Sequence, residues 1–293
     1  MRIQTFSIIA GSEACNACCS PCVSKMTLPE GIETKEPEVN WRNFKIACRL
    51  AKQCGCTTVM LTGKGEPTIF PKQITRFLQE LEPFEFPLIE LQTNGSLLAR
   101  KPEVYASHLK MWYELGMTTI AISIAHYDPG KNGEFFFHSP KSYFDLPRLI
   151  QTLHDMLFSV RLTCVLTGGF IDNSKELTRL IEFAKTNRVE QLTGTPVEKP
   201  EERLARDKKV WEWTSEHQLT TEQFGDIQQF LFTQGRRLYT LTHGAVVFDV
   251  NGQNFCLNNC LSIQPDSEEL RNIIFSPNGR IRPYWQYEGA VIL

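Results

Sequence analysis

Four cysteines stand within eight residues near the N-terminus, in the run Cys15-Asn16-Ala17-Cys18-Cys19-Ser20-Pro21-Cys22. Read as Cys15, Cys19 and Cys22 they space as C-x3-C-x2-C, which lets three thiolates of one loop hold three irons of a [4Fe–4S] cube. Such clusters are held by thiolates, usually four, so the fourth iron would keep a position open for a substrate or cofactor. Read as Cys15/Cys18 and Cys19/Cys22 they make two abutting CxxC pairs, and four thiolates can close a tetrahedral zinc site. Zinc ribbons separate such pairs by roughly a dozen residues or more. A disulfide framework is the third reading, against which the chain is long and its cysteines clustered.

Other residues could join this chemistry. Gly63-Lys64-Gly65-Glu66-Pro67 follows an apolar run. Glycines there let backbone approach a ligand closely, and a carboxylate accepts from an ammonium group; a plain strand-to-helix turn is the competing reading. Thr93-Asn94-Gly95 reads as a turn. Ser123 sits in an otherwise apolar strand and must find a partner. His126 and Asp128 follow it, placed for substrate contact, with a structural histidine as the competing reading. Cys256 and Cys260 lie near the C-terminus, either as buried thiols or as ligands of an auxiliary cluster, which normally needs more thiolates than two. Arg236 and Arg237 read as an anion clamp or a helix-end charge pair. Phe135-Phe136-Phe137-His138 reads as a loop, serving as lid or core plug. Trp211 and Trp213 cannot share one helix face and carry no assigned role.

The elements that must position these residues alternate in period. Strands are expected over Ile3–Ala10, Thr57–Thr62, Leu88–Gln92, Thr118–Ala125, Val160–Leu166 and Val189–Gly194. Helices are expected over Trp41–Gln53, Gln73–Leu81, Glu103–Leu115, Leu146–Phe158 and Ser174–Thr186, the last with Ser174 as N-cap. The strands read as near-continuous apolar runs, so the fold class is α/β with a parallel sheet covered by helices. About six β/α units fall short of a closed eight-fold barrel, which leaves a partial (β/α)6 TIM-like barrel over residues 1–195. The Cys loop and glycine loops then gather at the C-terminal end of the sheet, where sites in this architecture form.

Residues 196–293 read as a C-terminal extension that closes the open side. It opens with a charged, solvated helix over Glu198–Lys209 and an amphipathic helix over Thr221–Gln234. A hairpin of Arg237–Leu241 with Ala245–Val250 follows, and the last forty residues read as irregular.

The chain has 293 residues, ten cysteines and a net charge of −2. Nothing in that balance calls for nucleic acid, and no apolar run approaches a membrane span. The opening Met1-Arg2-Ile3-Gln4 lacks a signal-peptide apolar stretch. A reducing cytoplasm is therefore expected, with the cysteines as metal ligands or buried thiols.

The ordered set of Cys loop, Gly-Glu-Pro, Thr-Asn-Gly and serine strand, each after its own strand, resembles the radical S-adenosylmethionine (SAM) superfamily, in style most like its molybdenum-cofactor cyclase-like group. The resemblance covers roughly residues 1–195. It implies a [4Fe–4S] cluster on Cys15, Cys19 and Cys22, with Cys18 spare. It implies SAM held by Gly63, Lys64, Gly65, Glu66, Pro67, Thr93, Asn94 and Ser123, then cleaved reductively so that a 5′-deoxyadenosyl radical abstracts hydrogen. An electron donor such as flavodoxin or ferredoxin follows from the class. The substrate is a small molecule or peptide, nucleotide-like or peptide preferred. Two departures stand out: Lys64 replaces the family's first glycine, and Pro21 replaces the aromatic residue before the third Cys, leaving adenine packing unassigned. The alternatives are an activating enzyme that places a glycyl radical on a partner protein and a non-catalytic zinc-binding protein. Family members often append an auxiliary cluster, here on Cys256 and Cys260.

Overall fold

A computed structural model of the protein describes residues 1–27, 34–202, 205–258, 268–285, 287 and 289–293. The elements in chain order are β1 (Arg2–Ile9), α1 (Trp41–Gln53), β2 (Thr58–Thr62), α2 (Pro71–Leu81), β3 (Leu88–Thr93), α3 (Ser96–Arg100), α4 (Pro102–Glu114), β4 (Thr119–Ile124), α5 (Pro129–Phe137), α6 (Leu146–Asp155) and β5 (Ser159–Leu166). They continue with α7 (Ser174–Thr186), β6 (Gln191–Pro196), α8 (Lys208–His217), α9 (Thr221–Gln234), β7 (Arg236–Thr240), β8 (Val246–Val250), β9 (Gln253–Leu257), β10 (Glu269–Phe275) and β11 (Ile281–Arg282).

The eleven strands among the described residues join one sheet in the order β11-β10-β1-β2-β3-β4-β5-β6-β9-β8-β7. From β10 through β9 every pairing is parallel, and the flanking strands β11, β8 and β7 run antiparallel to their neighbours. The sheet is not closed by a ladder, so the partial-barrel reading describes it. Side chains meet across the opening instead. Gln4 of β1 donates from Nε2 to Thr242 Oγ1 and lies 3.2 Å from His243 Nδ1, both in the β7–β8 turn. Arg271 of β10 donates to Asn258 Oδ1, just past β9, at 3.1 Å.

The strand parity explains the layers. Ile120, Ile122 and Ile124 of β4, Val160, Leu162, Cys164 and Leu166 of β5, and Phe255 and Leu257 of β9 join one core with the apolar faces of the helices. Alternate residues on each strand must face the other way, into the barrel. Among the described residues no helix is long and apolar enough to cross a membrane.

Four local expectations differ. The triple-phenylalanine segment is helical: Asp128 caps α5 by accepting from Lys131 N at 3.0 Å, and Pro129 takes the first turn, where its missing N–H costs nothing. Asn173, not Ser174, caps α7, accepting from Glu176 N at 3.0 Å. Among the described residues, the helix expected from Glu198 is found from Lys208 on. Arg206 and Asp207 donate their backbone N–H groups to Lys25 O, and Arg206 pairs with Glu13, so tertiary bonds replace helical ones there. The last forty residues are not irregular throughout, since β10 and β11 lie there and β10 pairs with β1 in parallel. Parallel pairing leaves no hairpin signal in sequence.

Candidate active site

Chain reversal after β1 begins at Gly11, whose φ is +76° and whose Cβ would stand 2.5 Å from the Phe70 ring. Glycine is required there on both counts. The Cys loop that follows is tied down on two sides. On one side Glu66 N donates to Ala14 O at 2.9 Å, and a Cβ on Gly65 would fall 2.0 Å from that same oxygen. On the other, Cys18 N donates to Phe136 O at 2.8 Å and Ser20 N to Phe135 O at 3.3 Å.

Cys18 also turns its thiol to Phe136 O, at 3.5 Å. Charge on Cys22 disfavours charge on both Cys15 and Cys19, and Cys15 and Cys18 add to that effect at Cys19. Burial, then this mutual repulsion, pushes the Cys19 thiol well up; burial is also the leading cause that lifts Cys15 to about 11, with Glu66 and Cys22 adding to it. Among the described residues no three His, Cys, Asp or Glu side chains converge on one point as ligands of a single ion would. Three thiols on three different irons of a cube need not converge. Cys15 is exposed and Cys19 and Cys22 are half-buried, so all three thiols are open to metal, and cationic iron offsets the repulsion between thiolates. The residues present therefore fit a cluster.

Around Cys19 lies an aromatic shell. Phe135 and Phe136 of α5 pack with Ala17, Cys19, Phe137, Tyr143, Val165, Phe170 and Trp213. Phe135 meets Phe170 at 5.3 Å and Trp213 at 6.0 Å, edge to face. The phenylalanines plug this shell, one of the two roles read for them, but from a helix rather than a loop, and Asp-Pro ahead of them is the helix-start signal.

The glycine loop sits one β/α unit on. Glu66 points into the protein rather than outward. Its Oε1 accepts from Thr68 N at 3.0 Å, from Thr68 Oγ1 at 2.6 Å and from Thr93 Oγ1 at 2.6 Å, and its Oε2 accepts from Asn94 N at 2.8 Å. Burial pushes its pKa up while these four donors pull it down. The carboxylate thus braces two loops. The carbonyls of Gly63 and Gly65 accept no hydrogen bond among the described residues. Lys64 is buried, donates to Thr27 Oγ1 at 2.8 Å and lies 5.5 Å from the Trp285 ring centre. Pro67 opens a 3₁₀ turn that Glu66 caps.

Thr93 and Asn94 join the same network, and Asn94 Nδ2 reaches back to Asn16 Oδ1 at 2.8 Å. The structure thus brings Cys15, Cys19, Cys22, Gly63, Lys64, Gly65, Glu66, Pro67, Thr93 and Asn94 into one region at the C-terminal end of the strands. Ser123 faces the barrel interior from β4, beside Thr163 of β5.

His126, Tyr127 and Asp128 line a separate cleft of ≈ 560 Å³ with Lys131, Phe170 and Glu176. His126 Nδ1 accepts from Asp128 N at 2.9 Å, and its Nε2 stands 3.5 Å from Glu176. Burial pushes the imidazole pKa down, against the pull of Glu176 and Asp128. Arg236 and Arg237 lie exposed on the edge strand β7, past the end of α9, and Arg237 bonds Thr240 of its own strand. Cys256 faces the barrel interior, whereas Cys48, Cys56 and Cys164 are buried in the helix-covered core, so they cannot share a cluster with it. Cys260, its expected companion, lies outside the described residues.

No family model matches this sequence, and neither does any curated protein. Solved structures do. SuiB of Streptococcus suis bound to S-adenosylmethionine superposes with a TM-score of 0.63 at 15% identity, covering 98% of this chain and 61% of that one. This chain thus spans less than two thirds of the SuiB length. anSMEcpe with bound AdoMet gives a TM-score of 0.54 at 12% identity over 99% of this chain and 77% of that chain. A radical SAM methyltransferase from Sphaerobacter thermophilus gives 0.55 at 15% identity over 86% of this chain and 66% of its own. The fold is the one that radical SAM enzymes have.

Proposed function

We propose that the protein is a radical SAM enzyme, with a [4Fe–4S] cluster on Cys15, Cys19 and Cys22. One observation carries the reading: a loop of four cysteines tied to a glycine loop by Glu66 N donating to Ala14 O, with the Gly63 and Gly65 carbonyls accepting no hydrogen bond among the described residues, at the C-terminal end of a partial barrel. When bound and reduced, the cluster supplies the electron that cleaves SAM and yields a carbon radical able to take hydrogen from a substrate.

The chain's own residues would do the rest. The Gly63 and Gly65 carbonyls are acceptors for the SAM ammonium group, a role that Glu66, already holding four donors, leaves to the backbone. Asn94 and Asn16 fix the distance between the Thr-Asn-Gly turn and the Cys loop. Ser123 presents its hydroxyl to the interior. The shell around Cys19 keeps water from the reactive centre, which limits side reactions. The reading includes a small-molecule or peptide substrate and an external one-electron donor such as flavodoxin or ferredoxin.

The test is anaerobic. The full chain is reconstituted with iron and sulfide, reduced with dithionite and given SAM. Production of 5′-deoxyadenosine that disappears in Cys15→Ala supports the reading. A colourless, zinc-loaded protein that makes none sinks it.

A further inference from the structure

The ladders place Ser123, Thr163, Thr193 and Cys256 side by side across β4, β5, β6 and β9. All four face away from the helix-covered core, so the barrel wall carries a row of small polar groups. The Thr163 hydroxyl has no hydrogen-bond partner among the described residues, although the atom is buried. One step deeper on the same face of β5 stands Arg161, bonded through one terminal nitrogen to Glu90 of β3. From the other edge of the sheet, Arg271 reaches Asn258, two residues beyond Cys256 and held at that level by Asn258 N donating to Gly194 O at 2.9 Å.

We propose that this chamber takes its substrate by an anionic group, a carboxylate or a phosphate, held between Arg161 and Arg271 beside Cys256. The proposal rests on the radical reading for what happens to that substrate, and on the chain's own residues for the binding.

The argument is one of donors and depth. A guanidinium carries five N–H donors in a planar fork that matches carboxylate and phosphate oxygens. Glu90 occupies one terminal nitrogen of Arg161, and Nε has no partner among the described residues. The carboxylate lies deeper than the guanidinium, with its side chain 10% exposed against 25% for Arg161. Glu90 therefore anchors the arginine through one terminal nitrogen and leaves Nε–H uncommitted among the described residues. β5 and β9 are separated by one strand, about 10 Å, which a long arginine side chain largely spans. Both guanidiniums act on the Cys256 thiol: burial pushes its pKa up, and Arg161 and Arg271 pull against that rise. The uncharged lining of Ser123, Thr163 and Thr193 offers hydroxyls to the rest of a polar ligand.

Cys256 is a built-in reporter. The full chain is treated with iodoacetate or iodoacetamide, which alkylate thiols by the same displacement of iodide but differ in charge, and peptide mapping isolates Cys256. The rate ratio is referred to the same chain unfolded in urea. Two cations nearby raise the iodoacetate preference by about fivefold or more. Inorganic phosphate or succinate protects Cys256 saturably, and the one that protects at lower concentration identifies the anion. Arg161→Gln lowers both effects. Because that change leaves Glu90 buried without its cation, the Glu90→Gln/Arg161→Gln double variant is measured beside it, and the same loss is expected. A folded-chain ratio no higher than the unfolded one, or absence of protection by both anions, overturns the proposal. The readout needs neither cluster nor turnover. A chain that forms 5′-deoxyadenosine without the alkylation preference keeps the radical reading and loses the anion site; the converse result does the reverse.

Discussion

Asn94 Nδ2 donates to Asn16 Oδ1 across 2.8 Å, joining the turn after β3 to the middle of the Cys loop. The acceptor lies between Cys15 and Cys19 in the chain, and the donor lies on the loop that Glu66 braces. Cluster loop and glycine loop are therefore one assembly, cross-linked by side chains that touch neither iron nor substrate in the reading above.

Asn94→Ala removes that link and also orphans Ser96 N, which donates to Asn94 Oδ1 at 3.0 Å. Lost buried partners cost about 1–3 kcal/mol. The expected outcome is a lower melting temperature together with less iron retained after gel filtration. Asn94→Asp keeps the acceptor for Ser96 and should recover stability better than iron. Equal recovery of both would show that the Asn16 contact does not hold the Cys loop.

Cys18 is distinguished from its neighbours by direction. Its thiol reaches Phe136 O at 3.5 Å, while burial and the charge of Cys22 push the Cys15 and Cys19 thiols up. Cys18→Ala should leave iron and sulfide content per chain unchanged after reconstitution, and Cys15→Ala, Cys19→Ala and Cys22→Ala should each lose most of it. Loss of metal in Cys18→Ala equal to that in Cys15→Ala would favour four ligands and a closed site.

Much of this site was legible because it depends on local chemistry. The six inner strands, their order and the C-terminal placement of the loops follow from apolar runs alternating with helical periods. The Cys loop, Gly63–Pro67 and Thr93–Asn94 follow from residue type. What escaped reading depends on non-local pairing. β10 joins β1 from the far end of the chain, and its register leaves no turn signal. The direction of Glu66 was also hidden: a carboxylate in a glycine loop reads as a ligand, and only the arrangement of Thr68, Thr93 and Asn94 shows it engaged from within. Arg161 and Glu90 went unnoticed because a buried ion pair between strands 71 residues apart has no sequence motif.

Gly65 marks where the two loops touch. A Cβ there would stand 2.0 Å from Ala14 O and 2.6 Å from Ala14 C, both backbone atoms that cannot rotate away. Gly65→Ala must push the Cys loop off the glycine loop. Overpacking of this kind costs about 1–3 kcal/mol, and the same displacement breaks the Glu66 N to Ala14 O bond. Thermal denaturation should show the destabilisation, and equilibrium dialysis should show weaker SAM binding to the reconstituted protein. By contrast Gly225 has nothing within 4 Å of a built Cβ and lies inside α9, so Gly225→Ala should stabilise by about 0.5–1 kcal/mol.

His243 makes the closure of the sheet sensitive to acid. It lies near Gln4 of β1 across the opening, and burial, then the Arg271 guanidinium, hold its pKa down to about 4. The unfolded chain takes up that proton near the ordinary value of ~6.5, so on acidification the unfolded state binds a proton before the folded one. Its contribution to stability is fully present above the unfolded value and is lost as pH falls through the folded one. The melting temperature should therefore fall between about pH 6.5 and pH 4, and His243→Gln should make that fall shallower while leaving some slope from His126, which burial depresses in the same direction. Arg271→Gln removes one of the two causes, so it should move the steepest part of the fall toward higher values than in the parent chain, in contrast to the flattening in His243→Gln. An unchanged pH profile in His243→Gln would place the acid-sensitive group elsewhere in the barrel.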